Sequence, residues 1–230
     1  MARLHLFAEG TTELVFARDV LVPHLAGLGV YLYNPVLVAH ARKKGMVHRG
    51  GGRRFRPMQN DLERRLKEDH SEDVYFTSMI DLYALPHDFP GREQADRLLS
   101  RPYDRVIYLE DSWQTVTNDR RFLPFIQLHE FEAYLFTDTT KLSEFFDDSS
   151  RGIKVLQSVA GGAQSPELID DGQHTAPSKR IISQFPTYEK LKTTVAPQMA
   201  KLIGLRKIRS ACPHFDRWLG SLEQLATAPP

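Results

Sequence analysis

Three apolar runs in this chain end in a carboxylate. Arg3-Leu4-His5-Leu6-Phe7-Ala8 leads into Glu9, followed by Gly10, Thr11, Thr12 and a second acid, Glu13. Val74 to Ile80 leads into Asp81, and Phe122 to Leu128 leads into His129-Glu130-Phe131-Glu132. In open α/β sheets, ligands sit beyond the carboxyl ends of the strands. If the three runs are parallel strands, Glu9, Asp81 and Glu130 or Glu132 reach one edge, where like charges repel unless a cation is present. Hard divalent cations take oxygen ligands, and Mg²⁺ accepts carboxylates together with waters and substrate phosphates. Such a site can activate water and neutralise charge developing on a phosphodiester. Any single strand-end acid could equally cap a helix or face solvent; the three together are what favour a metal.

Spacing sorts the candidates. Glu130 and Glu132 would face the same way on a strand and diverge by roughly 200° on a helix. Phe131, Tyr134 and Leu135 predict a helix starting near Glu130, so Glu130 is favoured and Glu132 is kept as an alternate ligand or supporting group. Glu13 falls at the third helical position if Gly10 is the N-cap, so it is either a ligand or a capping acid. His129 lacks the second histidine four residues away that a zinc-protease helix requires. Cys212-Pro213-His214 offers too few ligands for a structural zinc site.

Two basic features stand near these acids in the reading. Pro177-Ser178-Lys179-Arg180-Ile181 looks like a helix start, with Lys179 and Arg180 in a first turn where the helix dipole disfavours cations. Either an ion pair with Asp170 or Asp171 or an anionic ligand explains that placement, and Lys179 is a candidate phosphate or transition-state contact. Residues 42–56 carry Arg42, Lys43, Lys44, Arg49, Arg53, Arg54 and Arg56 around a run of glycines, with no apolar periodicity. This reads as a basic loop that either tracks phosphates, ordering on binding, or is simply solvated.

The elements that must position these groups follow from hydrophobic periodicity. Residues 2–8 predict a first strand, 11–29 a helix that Pro23 kinks or splits, and 30–38 a second strand with a bulge or edge position at Pro35. Helices are expected over 58–70 and 92–100, strands over 74–81 and 122–128, and 104–116 is read as helix against a weaker strand alternative. Beyond residue 138 only short helices are expected, over 139–146, 151–161 and from 178, with 165–172 a loop. The division is an α/β core over 1–138 and a helical portion over 139–230.

Composition limits the alternatives. The 230 residues are 41% hydrophobic and 26% charged, ordinary for a globular chain, and a net charge of +1 gives no global attraction to nucleic acid. A single cysteine excludes an internal disulfide and suits a reducing cytoplasm. No apolar run approaches the roughly 20 residues of a membrane helix, and no signal-peptide pattern opens the chain, so no membrane association is expected.

Taken in order, Glu9-Gly10-Thr11-Thr12-Glu13, Met79-Ile80-Asp81-Leu82-Tyr83, Gln127-Leu128-His129-Glu130-Phe131-Glu132-Ala133, Pro177-Ser178-Lys179-Arg180-Ile181 and Cys212-Pro213-His214-Phe215 resemble a bacterial family, domain of unknown function 4276. That family is similar to the Toprim domains of topoisomerases, primases and overcoming-lysogenization-defect nucleases, whose relatives are often encoded beside ABC-type ATPases in phage-defence islands. The resemblance implies a Toprim-like, mostly parallel sheet flanked by helices, with a Mg²⁺ (or Mn²⁺) site. By position, Glu9 matches the first Toprim glutamate, a ligand or general base. Asp81 matches the first acid of the Asp-x-Asp motif, Glu130 or Glu132 the later acid, and Lys179 the basic residue of the nuclease relatives. Tyr83 stands where the second aspartate would be, which weakens a second metal position unless Glu13 supplies the charge. The expected activity is metal-dependent cleavage of DNA or RNA, with Lys179, Arg180 and the basic segment positioning the backbone. An ABC-type ATPase is an expected partner and a homo-oligomer is compatible. The competing expectation is a catalytically silent binding or regulatory subunit of such an ATPase; a primase-type synthesis enzyme is a weaker third.

Overall fold

A computed structural model of the chain describes residues 1–43, 46–49, 54–169, 172 and 175–227. Its centre is a parallel sheet in the order β2-β1-β6-β7, formed by β1 (Ala2–Ala8), β2 (Val30–Leu32), β6 (Val74–Asp81) and β7 (Phe122–Leu123). β3 (Val36–Leu37) continues the β2 edge by pairing with Phe7 and Ala8, and β8 (Ile126–Gln127) continues the β7 edge by pairing with Ile80 and Asp81. All pairings of this sheet are parallel, so the ends of β1, β6 and β8 share one edge. The expected α/β class, with helices flanking the sheet and a helical C-terminal portion, is the one observed.

Alternation along β1 and β6 divides the core between the two faces of the sheet. Leu4, Leu6 and Ala8 pack with Phe16, Leu21 and Leu25 from α1 (Thr11–Phe16) and the segment after it, and with Met199, Phe215 and Leu219 from the C-terminal helices. Phe7, Phe76 and Ile80 pack with Met58, Leu62 and Leu66 of α3 (Phe55–Glu68) and Val106, Leu109 and Trp113 of α5 (Pro102–Thr117). Full burial of each such side chain is worth about 2 kcal/mol. Phe55, Phe89, Trp113 and Phe122 meet edge to face, with centroids 4.9–5.5 Å apart in three of the pairs. The Trp113 indole N–H donates to Gln59 Oε1 at 2.9 Å, so the buried donor is satisfied.

Proline sets three boundaries, at Pro23 and Pro35, which the sequence reading marks, and at Pro124, which it does not. The helix predicted over 11–29 passes through a π-helical stretch, Ala17–Leu21, before α2 (Val22–Ala26), whose first turn holds Pro23. Lacking an N–H, Pro23 cannot donate to the preceding turn, and the widened turn accommodates it. The strand predicted over 30–38 is two strands, β2 and β3, with Asn34 and Pro35 between them. The strand predicted over 122–128 is likewise split at Pro124 into β7 and β8. There Ser78 replaces the ladder with its side chain: Phe125 N donates to Ser78 Oγ at 2.9 Å, and Ser78 Oγ donates to Phe125 O at 3.0 Å.

The described part of the basic segment forms strands and a helix start rather than a loop. Arg42 and Lys43 lie on β4 (Ala39–Lys43) and Arg49 on β5 (Met46–Arg49), an antiparallel pair with Lys43 opposite Met46. A two-stranded ribbon is held by ladder bonds and requires no buried face, so apolar periodicity does not announce it. Arg54 is the N-cap of α3 and Arg56 lies in its first turn, both exposed. Lys44 and Arg53 lie outside the described residues.

The C-terminal elements are α6 (Ser150–Gly162), α7 (Pro177–Gln184), α8 (Tyr188–Ile203), α9 (Leu205–Ala211) and α10 (Pro213–Glu223). They share one apolar cluster with β1 and α1. No helix among the described residues is long and apolar enough to cross a membrane.

Candidate metal and phosphate site

Glu9 and Asp81 leave the sheet from adjacent strands, because Ala8 of β1 lies opposite Met79 of β6. The backbone N–H of Asp81 donates to Glu9 Oε2 at 2.7 Å, fixing the two acids side by side. Asp81 Oδ1 in turn accepts from Gln127 Nε2 at 2.6 Å, so β8 also holds the aspartate.

Glu13 is a capping acid in this structure. Gly10, the N-cap of α1, donates its N–H to Glu13 Oε2 at 2.9 Å. A Cβ at Gly10 would stand 3.0 Å from that oxygen, so glycine lets Glu13 fold back closely. Capping does not remove it from the cluster: its charge is among the influences that raise the carboxyl pKa values of Glu9, Asp81 and Glu132.

Glu130 and Glu132 do not diverge as a helix starting at Glu130 would require. Glu130 is extended (φ −152°, ψ 165°) and caps a 3-10 turn, Phe131–Thr137, rather than opening an α-helix. Both carboxylates therefore reach one ammonium. Lys192 Nζ stands 3.1 Å from Glu132 Oε1 and 4.0 Å from Glu130 Oε2. Glu130 also accepts from Ser178 N and, at 3.1 Å, from Ser178 Oγ, which ties it to the first turn of α7. Glu132 is fully buried and accepts from Tyr188 OH at 3.0 Å, while its Oε2 has no hydrogen-bond partner among the described residues.

Electrostatics mark four of the five acids, Glu9, Glu13, Asp81 and Glu132, as under-compensated. Burial and then the Glu13 charge push Glu9 up to about 8. Burial and then Glu9 and Glu13 raise Asp81 well above the usual range. Burial raises Glu13, and burial with Glu130 and Glu13 brings Glu132 to about 7 against the opposing pull of Lys192. Among the described residues Lys192 is the one cation in ion-pair contact with any of the five. Burial works to lower the Lys192 ammonium, but Glu132, Glu130, Tyr83 and Asp81 together outweigh it and hold the charge.

The donor set is all carboxylate oxygen, which fits a hard divalent cation, and the orphaned Glu132 oxygen is free to accept. As the side chains stand, however, no group of three or more His, Cys, Asp or Glu among the described residues is gathered closely enough to hold a metal.

Beside the acids lies a pocket of about 350 Å³, whose lining includes Tyr83, Glu130, Lys179, Ile182, Glu189 and Lys192. Lys179 occupies the first turn of α7, as the Pro177 signal predicts, and is exposed. Arg180 beside it is turned to a structural use, its Nε donating to Thr175 O at 2.7 Å. The suggested partners Asp170 and Asp171 lie outside the described residues. The basic hairpin starts near the same edge: Val38 N donates to Ala8 O at 2.9 Å, and β4 begins at the next residue.

Sequence reading missed Lys192 and Tyr188. The signal was there. Tyr188, Lys192, Val195, Ala196 and Met199 share one helical stripe, and four of them are buried. A lysine inside an apolar stripe needs a charged partner. His214, set aside as a metal ligand, is a strut whose Nε2 lies 3.0 Å from Glu110 Oε1 and 3.1 Å from Ile126 O.

No curated protein matches the chain. Among solved structures, the C-terminal region of the Burkholderia pseudomallei OLD protein is similar at 14% identity with a TM-score of 0.47, covering 98% of this chain and 99% of that one. The model of a domain of unknown function, DUF4276, matches residues 8–223. The chain belongs to that family.

Proposed function

We propose that the protein is a metal-dependent phosphodiesterase acting on nucleic acid, of the Toprim type that its sequence motifs resemble. The observation that carries the reading is the excess of carboxylate at one sheet edge: the half-buried Glu9 and the buried Glu13, Asp81, Glu130 and Glu132, against a single contacting lysine among the described residues. Such an excess is costly in an empty site and is relieved by a bound cation.

Glu9 and Asp81 would hold Mg²⁺ or Mn²⁺, and Glu13, released from its cap, would add a third carboxylate. Glu132 offers its orphaned oxygen, and Glu130 acts by fixing α7 through Ser178. A divalent cation there supplies a water activated for attack on phosphorus and offsets charge on the phosphoryl oxygens. Lys179, exposed on the first turn of α7, positions a phosphate at the pocket rim. Lys192 keeps Glu130 and Glu132 in place. Arg42, Lys43 and Arg49 of the hairpin, with Arg54 and Arg56 beyond it, would contact the substrate backbone, a contact that weakens with salt. An ABC-type ATPase partner follows from the family resemblance alone.

A second reading, a silent binding or regulatory subunit, is favoured by two observations: Tyr83 stands where the resembled motif has a further acid, and no three acids are gathered among the described residues. Incubation of labelled DNA, RNA and tRNA with Mg²⁺ or Mn²⁺ separates the two. Cleavage by the wild type and its loss, by at least about a hundredfold, in Glu9→Ala is expected; a metal ligand should cost no less than the supporting groups around one. No cleavage of any substrate even with the ATPase added, together with unchanged biological activity of Glu9→Ala, would favour the silent subunit.

A further inference from the structure

The aromatic side chain at the missing-acid position has a use of its own. Tyr83 belongs to the 3-10 turn Leu82–Ala84 that follows Asp81 directly, and its ring is half exposed although the residues on either side of the turn are packed. It lines the 350 Å³ pocket together with Lys179, Lys192 and the apolar surface of Ile182. That pocket is not simply a cation trap for phosphate. Its two lysines face Glu130 and Glu189, so formal charge nearly cancels, and Lys192 is already committed to Glu132 and Glu130. What distinguishes it is an exposed ring with aliphatic surface, beside one lysine with no ion pair among the described residues. The volume lies at the lower end of the roughly 300–1,000 Å³ of small-ligand pockets, room for a nucleotide and too little for a duplex.

We propose that Tyr83 is a stacking platform for a single unpaired nucleobase whose flanking phosphate contacts Lys179, which makes the substrate class single-stranded or unpaired nucleic acid. The proposal rests on the nucleic-acid reading of the site and deepens it. Stacking on an aromatic side chain is indifferent to base identity but requires the base to leave its pair. A carboxylate at position 83 would repel the same phosphate that Lys179 attracts, so the tyrosine changes what the pocket accepts.

The test is binding in the presence of a metal chelator, where nothing is cleaved. Short single-stranded DNA and RNA oligonucleotides carrying one fluorescent adenine analogue are compared with the matching duplexes, for the wild type, Tyr83→Ala and Tyr83→Trp. The wild type is expected to bind the single strands in preference and to quench the analogue. Tyr83→Ala should weaken single-strand binding by about 5- to 150-fold, the range of one lost stacking contact, and abolish the quench. Tyr83→Trp should restore both. Single-strand affinity and quench unchanged in Tyr83→Ala, or duplex bound as well as single strand by the wild type, overturns the stacking role while leaving the nucleic-acid reading intact. No binding of any oligonucleotide by the wild type overturns the nucleic-acid reading itself, and the stacking role with it.

Discussion

Two sets of buried acids stand in this molecule, and they are built in opposite ways. Glu167, 1% exposed, accepts from His214 N at 3.0 Å, Phe215 N at 2.9 Å and Tyr103 OH at 3.2 Å. Two of those donors are the first amides of α10, which Pro213 opens, so this carboxylate is the cap of a helix. Burial raises its pKa, but its other influences are donors that lower it. At the sheet edge, burial raises Glu9, Glu13, Asp81 and Glu132, neighbouring carboxylates raise each of them further, and one Glu132 oxygen has no donor among the described residues. A buried acid surrounded by donors is part of the scaffold. Acids that face each other with one lysine between them are stability given up locally, which is the usual mark of a binding site.

The contrast can be broken or sharpened by substitution. The largest effect is expected on the scaffold side. Glu167→Ala orphans two buried amides and a phenol and should cost about 3 kcal/mol in urea unfolding, with the midpoint moving and the slope unchanged. Next, Lys192→Met leaves Glu130 and Glu132 without their cation and should cost about 2 kcal/mol, reduced by the partial exposure of the lysine. Adding Glu132→Gln to that variant should recover most of the loss, since the repulsion goes with the charge. Asp81→Asn should do the reverse of Glu167→Ala. It keeps an acceptor for Gln127, removes an acid from the crowded cluster, and is expected to stabilise the metal-free protein, read as a higher urea midpoint. A loss of stability there would place Asp81 with Glu167 as a scaffold residue.

A further effect, on pH dependence, has a fixed sign. Glu9 is lifted from 4.5 to about 8 and Glu132 from 4.5 to about 7. Between those limits the folded chain holds protons that the unfolded chain has released. Their contribution is whole below about pH 4.5 and is lost as pH rises towards 8. With a chelator present, Tm should therefore drift down between about pH 5 and pH 8, and Glu9→Gln should flatten the drift. Mg²⁺ should raise Tm more at the upper end, where the acids are already ionised.

Much of this was legible in the sequence. β1 and β6 announce themselves because they are central strands with long apolar runs; β6 ends on Asp81, and Glu9 directly follows β1. Pro177 predicts the start of α7, and Gly10 with Glu13 predicts the capping box. What failed was whatever depended on tertiary contact. Glu130 and Glu132 reach the same side because Glu130 is held extended by Ser178, 48 residues further on, and no local spacing encodes that bond. The split at Pro124 is bridged by the Ser78 hydroxyl from a neighbouring strand. The hairpin β4–β5 pairs through its backbone in a segment that carries no apolar periodicity. Lys192 was visible only as a charge on an apolar stripe, and its meaning needed its partners.

The most direct measurement is calorimetric titration of Mn²⁺ into the metal-free protein near neutral pH, in two buffers of different ionisation heat, for the wild type and Asp81→Asn. The sheet-edge acids should give saturable binding with proton release, because Glu9 holds a proton that a metal displaces, and Asp81→Asn should lose that binding while staying folded. No saturable binding by the wild type, or equal binding by Asp81→Asn, would contradict a cation site at the edge shared by β1 and β6.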